Sequence, residues 1–173
     1  MAKYTIEHAP FTLLESEDNF ELRHYPELLL VSAPMNSQDK NSETPFRMLF
    51  AYITGNNSDQ LDIPMTAPVF MDPARSEKMS FVLPADFTLA TTPQPTNPDV
   101  TVERIENYHA AVIRFNGRLQ PDNIATHMDQ LTQWINDRNY QPAGNPIIAG
   151  YDPPSSLPAL RRNEVLIPVA KPQ

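Results

Sequence analysis

The stretch "FELRHYPELLLVSAPM" (residues 20–35) decides the fold, because its pattern predicts two short strands on either side of a Pro–Glu pair. Side chains of a strand point to alternate faces, so Phe20, Leu22 and His24 share one face. We expect that face to meet a core, although it ends in an imidazole. Pro26 and Glu27 predict a tight antiparallel hairpin that ends the first strand directly after Tyr25.

A helix is predicted downstream of this stretch. Thr44 suits the cap position and Pro45 the first helical position, where a missing N–H costs nothing. Gly55 suits the left-handed residue that follows a helix. Apolar residues recur between these limits with helical spacing, at Phe46, Leu49, Phe50 and Ile53, with Met48 and Tyr52 alongside.

A second helix is predicted within "QPDNIATHMDQLTQWINDRNY" (residues 120–140), with Asp122 or Asn123 as its cap. Its apolar stripe consists of Ile124, Met128, Leu131 and Ile135, with Trp134 beside it. We expect this stripe, and Leu131 and Trp134 in particular, to face a sheet.

The predicted strands surround the helices in a repeating order. Strand, strand, helix, strand, strand occurs in residues 20–84 and again in residues 100–169. "TTPQPTNPDV" (91–100) is predicted to link the halves along the surface. We therefore expect one domain, residues 1–173, with a duplicated α+β fold in which a curved antiparallel sheet, close to a distorted barrel, is flanked by two helices. The predicted strands are 11–16, 20–25, 28–34, 64–71, 79–84, 100–107, 109–116, 146–151 and 163–169.

Composition excludes several classes of function. The 173-residue chain carries a formal net charge of −8 and has no cysteine. Disulfides and thiolate sites are therefore excluded, and nucleic acid and anionic membranes are poor partners for so acidic a chain. No apolar run has the length of a membrane span or a signal peptide, so we expect a soluble, cytoplasmic protein. No hydrolase, metalloprotease or nucleotide-binding motif is present, and we expect no enzyme.

Five stretches, in order, resemble the SOUL haem-binding protein family. They are "FELRHY" (20–25), "LFAYITGNN" (49–57), "IPMTAPV" (63–69), "AGYDPP" (149–154) and "RRNEVLI" (161–167). The resemblance implies the duplicated architecture, which is similar to the effector-binding domains of bacterial transcription regulators. It also implies reversible binding of a tetrapyrrole, either haem b or another porphyrin, for haem buffering, transport or scavenging. The alternatives are an effector-binding module for another small molecule and an interaction protein with no haem role.

The resemblance also implies site residues. His24 stands where part of the family has an axial haem-iron ligand, and the alternative is a hydrogen-bonded histidine at the rim of a sheet. The first helix would form one wall of the site through Phe46, Met48 and Phe50, with Met48 the freest to meet a ligand; the alternative is ordinary core packing. Arg47 would pair with a propionate, or remain a solvated helix charge.

Two further residues are candidates on the same basis. Met65 would supply a thioether ligand, with core packing as the alternative. Tyr151 would stack on a porphyrin face from a loop stiffened by Pro153 and Pro154, in which Gly150 permits an unusual backbone angle; the alternative is a loop that only orders the last strand. His109 and His127 have no partner at metal-ligand spacing and His8 lies in the N-terminal arm, so all three are predicted to be structural.

Overall fold

The computed structural model describes residues 6–35, 44–73, 78–153 and 155–173. The chain divides into two compact units: unit 1 comprises Met1–Pro10 and Glu27–Ile105, and unit 2 comprises Phe11–Pro26 and Glu106–Gln173. The elements follow the chain in the order β1 (Glu7–His8), β2 (Thr12–Glu17), β3 (Phe20–Pro34), α1 (Pro45–Ile53), β4 (Thr66–Ala67), β5 (Val69–Asp72), β6 (Lys78–Val82), β7 (Thr101–Phe115), α2 (Pro121–Asp137), β8 (Ile147–Gly150), a 3-10 turn (Pro158–Leu160) and β9 (Asn163–Pro168).

Unit 1 combines α1 with an antiparallel set of strands. The second half of β3 pairs with β6, so that Leu30 lies opposite Val82, and β5 pairs with the other edge of β6, where Val69 lies opposite Phe81. The short strands β1 and β4 pair in parallel. The core of the unit consists of Leu29, Val31, Ala33, Met48, Leu49, Tyr52, Ile53, Ile63, Phe81, Leu83 and Val100.

The predicted ends of α1 are confirmed. The Thr44 side chain accepts a hydrogen bond from the Arg47 backbone N–H, and Pro45 occupies the first turn. Gly55 follows the helix with φ +113°, a left-handed conformation that a side chain would strain.

Unit 2 combines α2 with antiparallel strands. β2 pairs with the first half of β3, and β9 pairs with β7 on one side and with β8 on the other. Leu131, Trp134 and Ile135 of α2 are buried, as the stripe predicts, while Ile124 and Met128 pack against the same core from partly buried positions. The core of the unit consists of Leu22, Ala111, Ile113, Phe115, Leu131, Trp134, Ile135, Val165, Ile167 and Val169.

The predicted cap of α2 is wrong. The cap is Gln120, with extended backbone angles, and Pro121 takes the first helical position instead of Asp122 or Asn123 becoming the cap. Proline is suited to this position because its φ is already helical and its missing N–H would have no partner there. Asp122 therefore lies in the first turn, where a negative charge is favourable.

The predicted hairpin at Pro26–Glu27 is also wrong. β3 continues through both residues as one strand of 15 residues, and the two predicted strands around residue 108 likewise form one strand, β7. Pro26 is exposed, and a proline is tolerated within a strand where its absent N–H is not needed by a neighbour. Tyr25 therefore does not end the strand.

The proline-rich segment 91–100 is not a linker between the halves. It lies within unit 1 and packs beside the end of α1, where Tyr52 donates its hydroxyl hydrogen bond to the Pro93 carbonyl at 2.6 Å. Thr92, Pro93 and Val100 are buried. The segment is thus part of the unit 1 structure.

The α+β class with two helices and antiparallel strands is confirmed. Both units place one helix on antiparallel strands, but their boundaries differ from the proposed repeats, since Phe11–Pro26 belongs to unit 2. The internal repeat stays a prediction.

Candidate functional site

Two histidines from distant parts of the chain meet in unit 2. The rings of His24, on β3, and His109, on β7, stack with their centroids 4.4 Å apart and their planes 16° apart. His24 is partly buried, and its Nε2 lies 3.4 Å from Oδ1 of Asn107. Sequence spacing indicated no partner for His109, and the structure places its ring against that of His24. The sequence held no spacing signal for this pair, because strand pairing brings the two residues together across 85 positions.

The stacked histidines line a groove of about 770 Å³, here called the His24 groove. Much of its lining is apolar, and one cation, Lys171, stands among the lining residues. Its volume lies within the range of small-molecule sites, roughly 300–1,000 Å³. The groove is lined by Leu14, His24, Asn107, His109, Val169, Ala170, Lys171 and Pro172.

The surroundings favour a neutral imidazole at His109. Burial lowers the pKa of His109, and the positive charge that His24 and Lys171 can carry lowers it further. A hydrogen bond with the Asn107 backbone acts in the opposite direction without reversing the shift. A neutral imidazole keeps a nitrogen lone pair, so this groove presents a group able to ligate a metal ion or accept a hydrogen bond.

The opposite face of β3 is not solvated, contrary to what a simple alternating pattern suggests. Arg23 and Tyr25 are fully buried, and the Arg23 guanidinium donates to both Glu164 carboxylate oxygens, at 2.8 and 2.6 Å. Arg23 also donates to the Tyr25 hydroxyl and to Glu21. This ion pair fixes the strand that carries His24. The signal for it was present, since Arg23 and Glu164 lie in two of the five motif stretches.

The site candidates on α1 differ from the prediction in which side chains are exposed. Phe46 and Phe50 are 45% and 49% exposed, and their rings stack with centroids 6.1 Å apart. Met48, expected to be the freest, is only 5% exposed and belongs to the unit 1 core. Arg47 is exposed between the two phenylalanines in sequence. The exposed face of α1 is therefore aromatic and basic, and Met48 is removed from it.

Met65 and Tyr151 are both engaged in packing. Met65 is partly buried against the unit 1 core. Tyr151 lies in unit 2, where the Arg162 guanidinium covers one face of its ring at 4.1 Å. Burial raises the pKa of the Tyr151 hydroxyl, and the Glu164 charge raises it further. One ring face is thus already occupied by a cation.

The loop containing Tyr151 is less unusual than predicted. Gly150 ends β8 without a positive φ, and a Cβ there would meet Leu119 at an ordinary 3.6 Å. Pro153 is exposed, whereas Pro154 lies outside the described residues. No left-handed backbone angle therefore explains Gly150.

Two features are absent from the described residues. Within these residues, no group of three or more His, Asp or Glu side chains is arranged to hold a metal ion. No helix in the described part of the chain is both long and apolar enough to span a membrane.

The profile of the SOUL heme-binding protein family matches residues 6–168. The chain is 32% identical to human Heme-binding protein 2 over 109 residues, which are 57% of this chain and 53% of the relative. It is 29% identical to the mouse protein of the same name over 119 residues, which are 63% of this chain and 58% of the relative. The chain thus matches just over half the length of these curated relatives.

Solved structures share the fold at low sequence identity. The C-terminal domain of EcmrR aligns with a TM-score of 0.58 and 16% identity, covering 88% of this chain and 97% of that domain. A structure described as a hydrolase from Listeria innocua aligns with a TM-score of 0.63 and 12% identity, covering 96% and 94%. At these identities the likeness shows the fold alone.

Proposed function

Because the chain belongs to the SOUL heme-binding protein family, we propose that it binds a tetrapyrrole reversibly and that the His24 groove is the site. The observation that carries this proposal is the pair of stacked imidazoles, His24 and His109, at an apolar groove of about 770 Å³. The names of the human and mouse relatives support haem as the tetrapyrrole.

The side chains of the groove fit the chemistry of a haem. Such a ligand needs an apolar surface for its ring, a nitrogen or sulfur donor for its iron, and a cation near its propionates. Leu14, with nearly half of its surface exposed, and Val169 offer apolar contact. His24 is the candidate iron ligand that the family resemblance implies. Lys171 lines the groove and supplies a cation for the propionates.

The proposed role is binding rather than chemistry. The matched family and its curated relatives are named for heme binding. A groove that opens to solvent suits reversible exchange, because the ligand has to enter and leave from outside. Haem buffering, transport or scavenging all follow from such exchange, with haem b as the expected ligand.

The exposed face of α1 is a second candidate location. Phe46 and Phe50 present stacked aromatic rings there, and Arg47 adds a cation. The two stacked phenylalanines form a local apolar patch on the helix, and apolar patches are a feature of contact surfaces. The family resemblance also implies the first helix, so both locations need testing.

A haem titration followed by absorbance tests the proposal. We expect saturable binding, and we expect His24→Ala to shift the Soret band and to weaken binding by about tenfold or more, which is about 1.4 kcal/mol. His8→Ala removes an exposed histidine of unit 1 and serves as the matched control. Acidification should weaken the wild-type complex as well, because a protonated imidazole has no lone pair with which to ligate iron.

The double variant Phe46→Ser, Phe50→Ser distinguishes the two locations. Unchanged haem affinity in this variant, together with the loss in His24→Ala, supports the His24 groove. A loss of haem affinity in the double variant, with unchanged affinity in His24→Ala, indicates that the site is on α1. A wild-type protein that does not bind haem or any porphyrin at all contradicts the proposed function itself.

A further inference from the structure

A second groove in unit 2 has a different chemical character. It is open, measures about 430 Å³ and shares no lining residue with the His24 groove. Its polar lining holds two guanidinium groups, an imidazole and two amides, and no carboxylate occurs among the described residues that line it. This Arg114 groove is lined by Asn19, Arg114, Phe115, Asn116, His127 and Arg162.

The imidazole of this groove is held in one orientation. His127 Nδ1 lies 2.7 Å from the backbone oxygen of Asn123, one turn earlier on α2. A carbonyl oxygen only accepts, so Nδ1 carries a proton and donates it. The ring also stacks on Phe115, with centroids 4.2 Å apart and planes 11° apart. His127 therefore keeps Nε2 for a further partner, and in its protonated form that atom is a second donor.

The guanidinium groups outnumber the carboxylates with which their side chains form salt bridges. Arg114 pairs with Glu21 at 2.9 Å, and Arg162 pairs with Glu164 at 3.2 Å. Arg23 bonds to the same two carboxylates from its buried position. Among the described residues, these three guanidinium groups share two carboxylates, and a third carboxylate, that of Asp152, accepts a hydrogen bond from the Arg162 backbone N–H.

The Arg162 guanidinium also has a donor that is not used. Its Nε is buried and has no hydrogen-bond partner among the described residues. An unsatisfied buried donor is unfavourable. The Arg114 side chain, by comparison, is 42% exposed and so remains accessible to a ligand.

We propose that the Arg114 groove binds a phosphate group, either the free ion or a small phosphate monoester. Guanidinium groups bind phosphate through paired N–H donors, the amides add further N–H groups, and His127 adds Nε2 as a donor in its protonated form. Arg114 lies on β7, His127 on α2, and Arg162 just before β9. A phosphate group has at least three terminal oxygens, enough to accept hydrogen bonds from donors on three elements, whereas a carboxylate has only two oxygens.

Isothermal titration calorimetry with inorganic phosphate tests the proposal directly. We expect one site per chain and a loss of affinity of about tenfold or more in Arg114→Gln and in His127→Gln. Arg104→Gln is the control, because Arg104 has the same 42% side-chain exposure as Arg114 and also forms a salt bridge with a glutamate, although Arg114 contacts two glutamates, Glu21 and Glu164. His127→Gln touches none of the ion pairs, so it stays informative if Arg114→Gln is misfolded by circular dichroism.

The outcomes separate clearly. Absence of saturable heat up to about 10 mM phosphate, where even millimolar affinity is measurable, overturns the proposal. Equal losses in Arg104→Gln and Arg114→Gln overturn it as well, since they indicate general charge attraction. Binding of acetate as tight as that of phosphate also contradicts it. Glycerol phosphate as a second titrant identifies the source: tighter binding than inorganic phosphate indicates an ester, and weaker binding indicates the free ion.

Discussion

At the scale of single residues, the strongest feature is the ion pair between Arg23 and Glu164. Neither side chain has any exposed surface. Burial alone would raise the pKa of Glu164, but hydrogen bonds from Arg23 and the charges of Arg23 and Arg162 hold it below its ordinary value. Burial would likewise lower the pKa of Arg23, yet the bonds and charge of Glu164 keep it raised. Each partner therefore compensates the buried charge of the other.

Removing one partner should be costly. We expect Glu164→Gln to lower the free energy of unfolding by about 3–5 kcal/mol, because it leaves buried positive charge with less compensation. Urea denaturation at neutral pH measures the change. Arg104→Gln is the control, since its pair with Glu27 is exposed and such pairs contribute about 0–1 kcal/mol. A loss in Glu164→Gln no larger than that of the control would show that the buried pair does not stabilise unit 2.

At the scale of elements, α2 shows how far a local pattern can be trusted. Its apolar stripe predicts a buried face, and Leu131, Trp134 and Ile135 are buried. Its cap was predicted wrongly because Asp and Asn favour caps in general, while the preference of Pro121 for the first helical position decided this helix. Periodicity over several turns is a stronger signal than the identity of one terminal residue.

The stripe makes a prediction about stability. Leu131 has no exposed surface in the unit 2 core, so Leu131→Ala should lower the free energy of unfolding by about 2–5 kcal/mol. Gln130→Ala is the matched control, because its side chain is exposed one position earlier on the same helix. Urea denaturation of both variants measures the difference. A loss in Leu131→Ala within the error of Gln130→Ala would mean that the stripe does not carry the packing of α2.

The helix α1 shows where periodicity fails. Phe46, Met48, Leu49, Phe50, Tyr52 and Ile53 place apolar residues around most of its circumference. A helix that is apolar on so many sides does not show in its sequence which side is buried. Packing in unit 1 buries Met48 and leaves Phe46 and Phe50 exposed.

At the scale of the whole molecule, stability should depend on acidity through buried or bonded carboxylates. The pKa of Glu164 is lowered, and so is the pKa of Glu15, through a hydrogen bond from Tyr140 and despite partial burial. A lowered folded-state pKa means that the unfolded chain binds the proton more readily. The stabilisation that these carboxylates contribute is therefore complete at a pH above the unfolded-state pKa, about 4.5. It is lost as the pH falls through the folded-state pKa.

Urea denaturation at roughly pH 7 and pH 3.5 checks this dependence. We expect the free energy of unfolding of the wild-type protein to fall on acidification. The difference in this free energy between wild type and Glu164→Gln should narrow, since protonation of Glu164 removes the carboxylate charge that the variant already lacks. The difference in the free energy of unfolding between wild type and Arg104→Gln should change little over the same range, because the ion pair of Arg104 with Glu27 is exposed. A gap between wild type and Glu164→Gln that does not change with pH would contradict a lowered pKa at Glu164.

The sequence alone determined the α+β class, the two helices, most strand positions and the family, because propensities, caps and apolar periodicity act between near neighbours. Only the tertiary structure decided that β3 runs on through Pro26, that His24 stacks on His109 and that Arg23 meets Glu164. The physical reason is that these features depend on which distant segments pair and on how much solvent remains around them. Side-chain spacing along one strand shows two faces, but it does not show that both are covered.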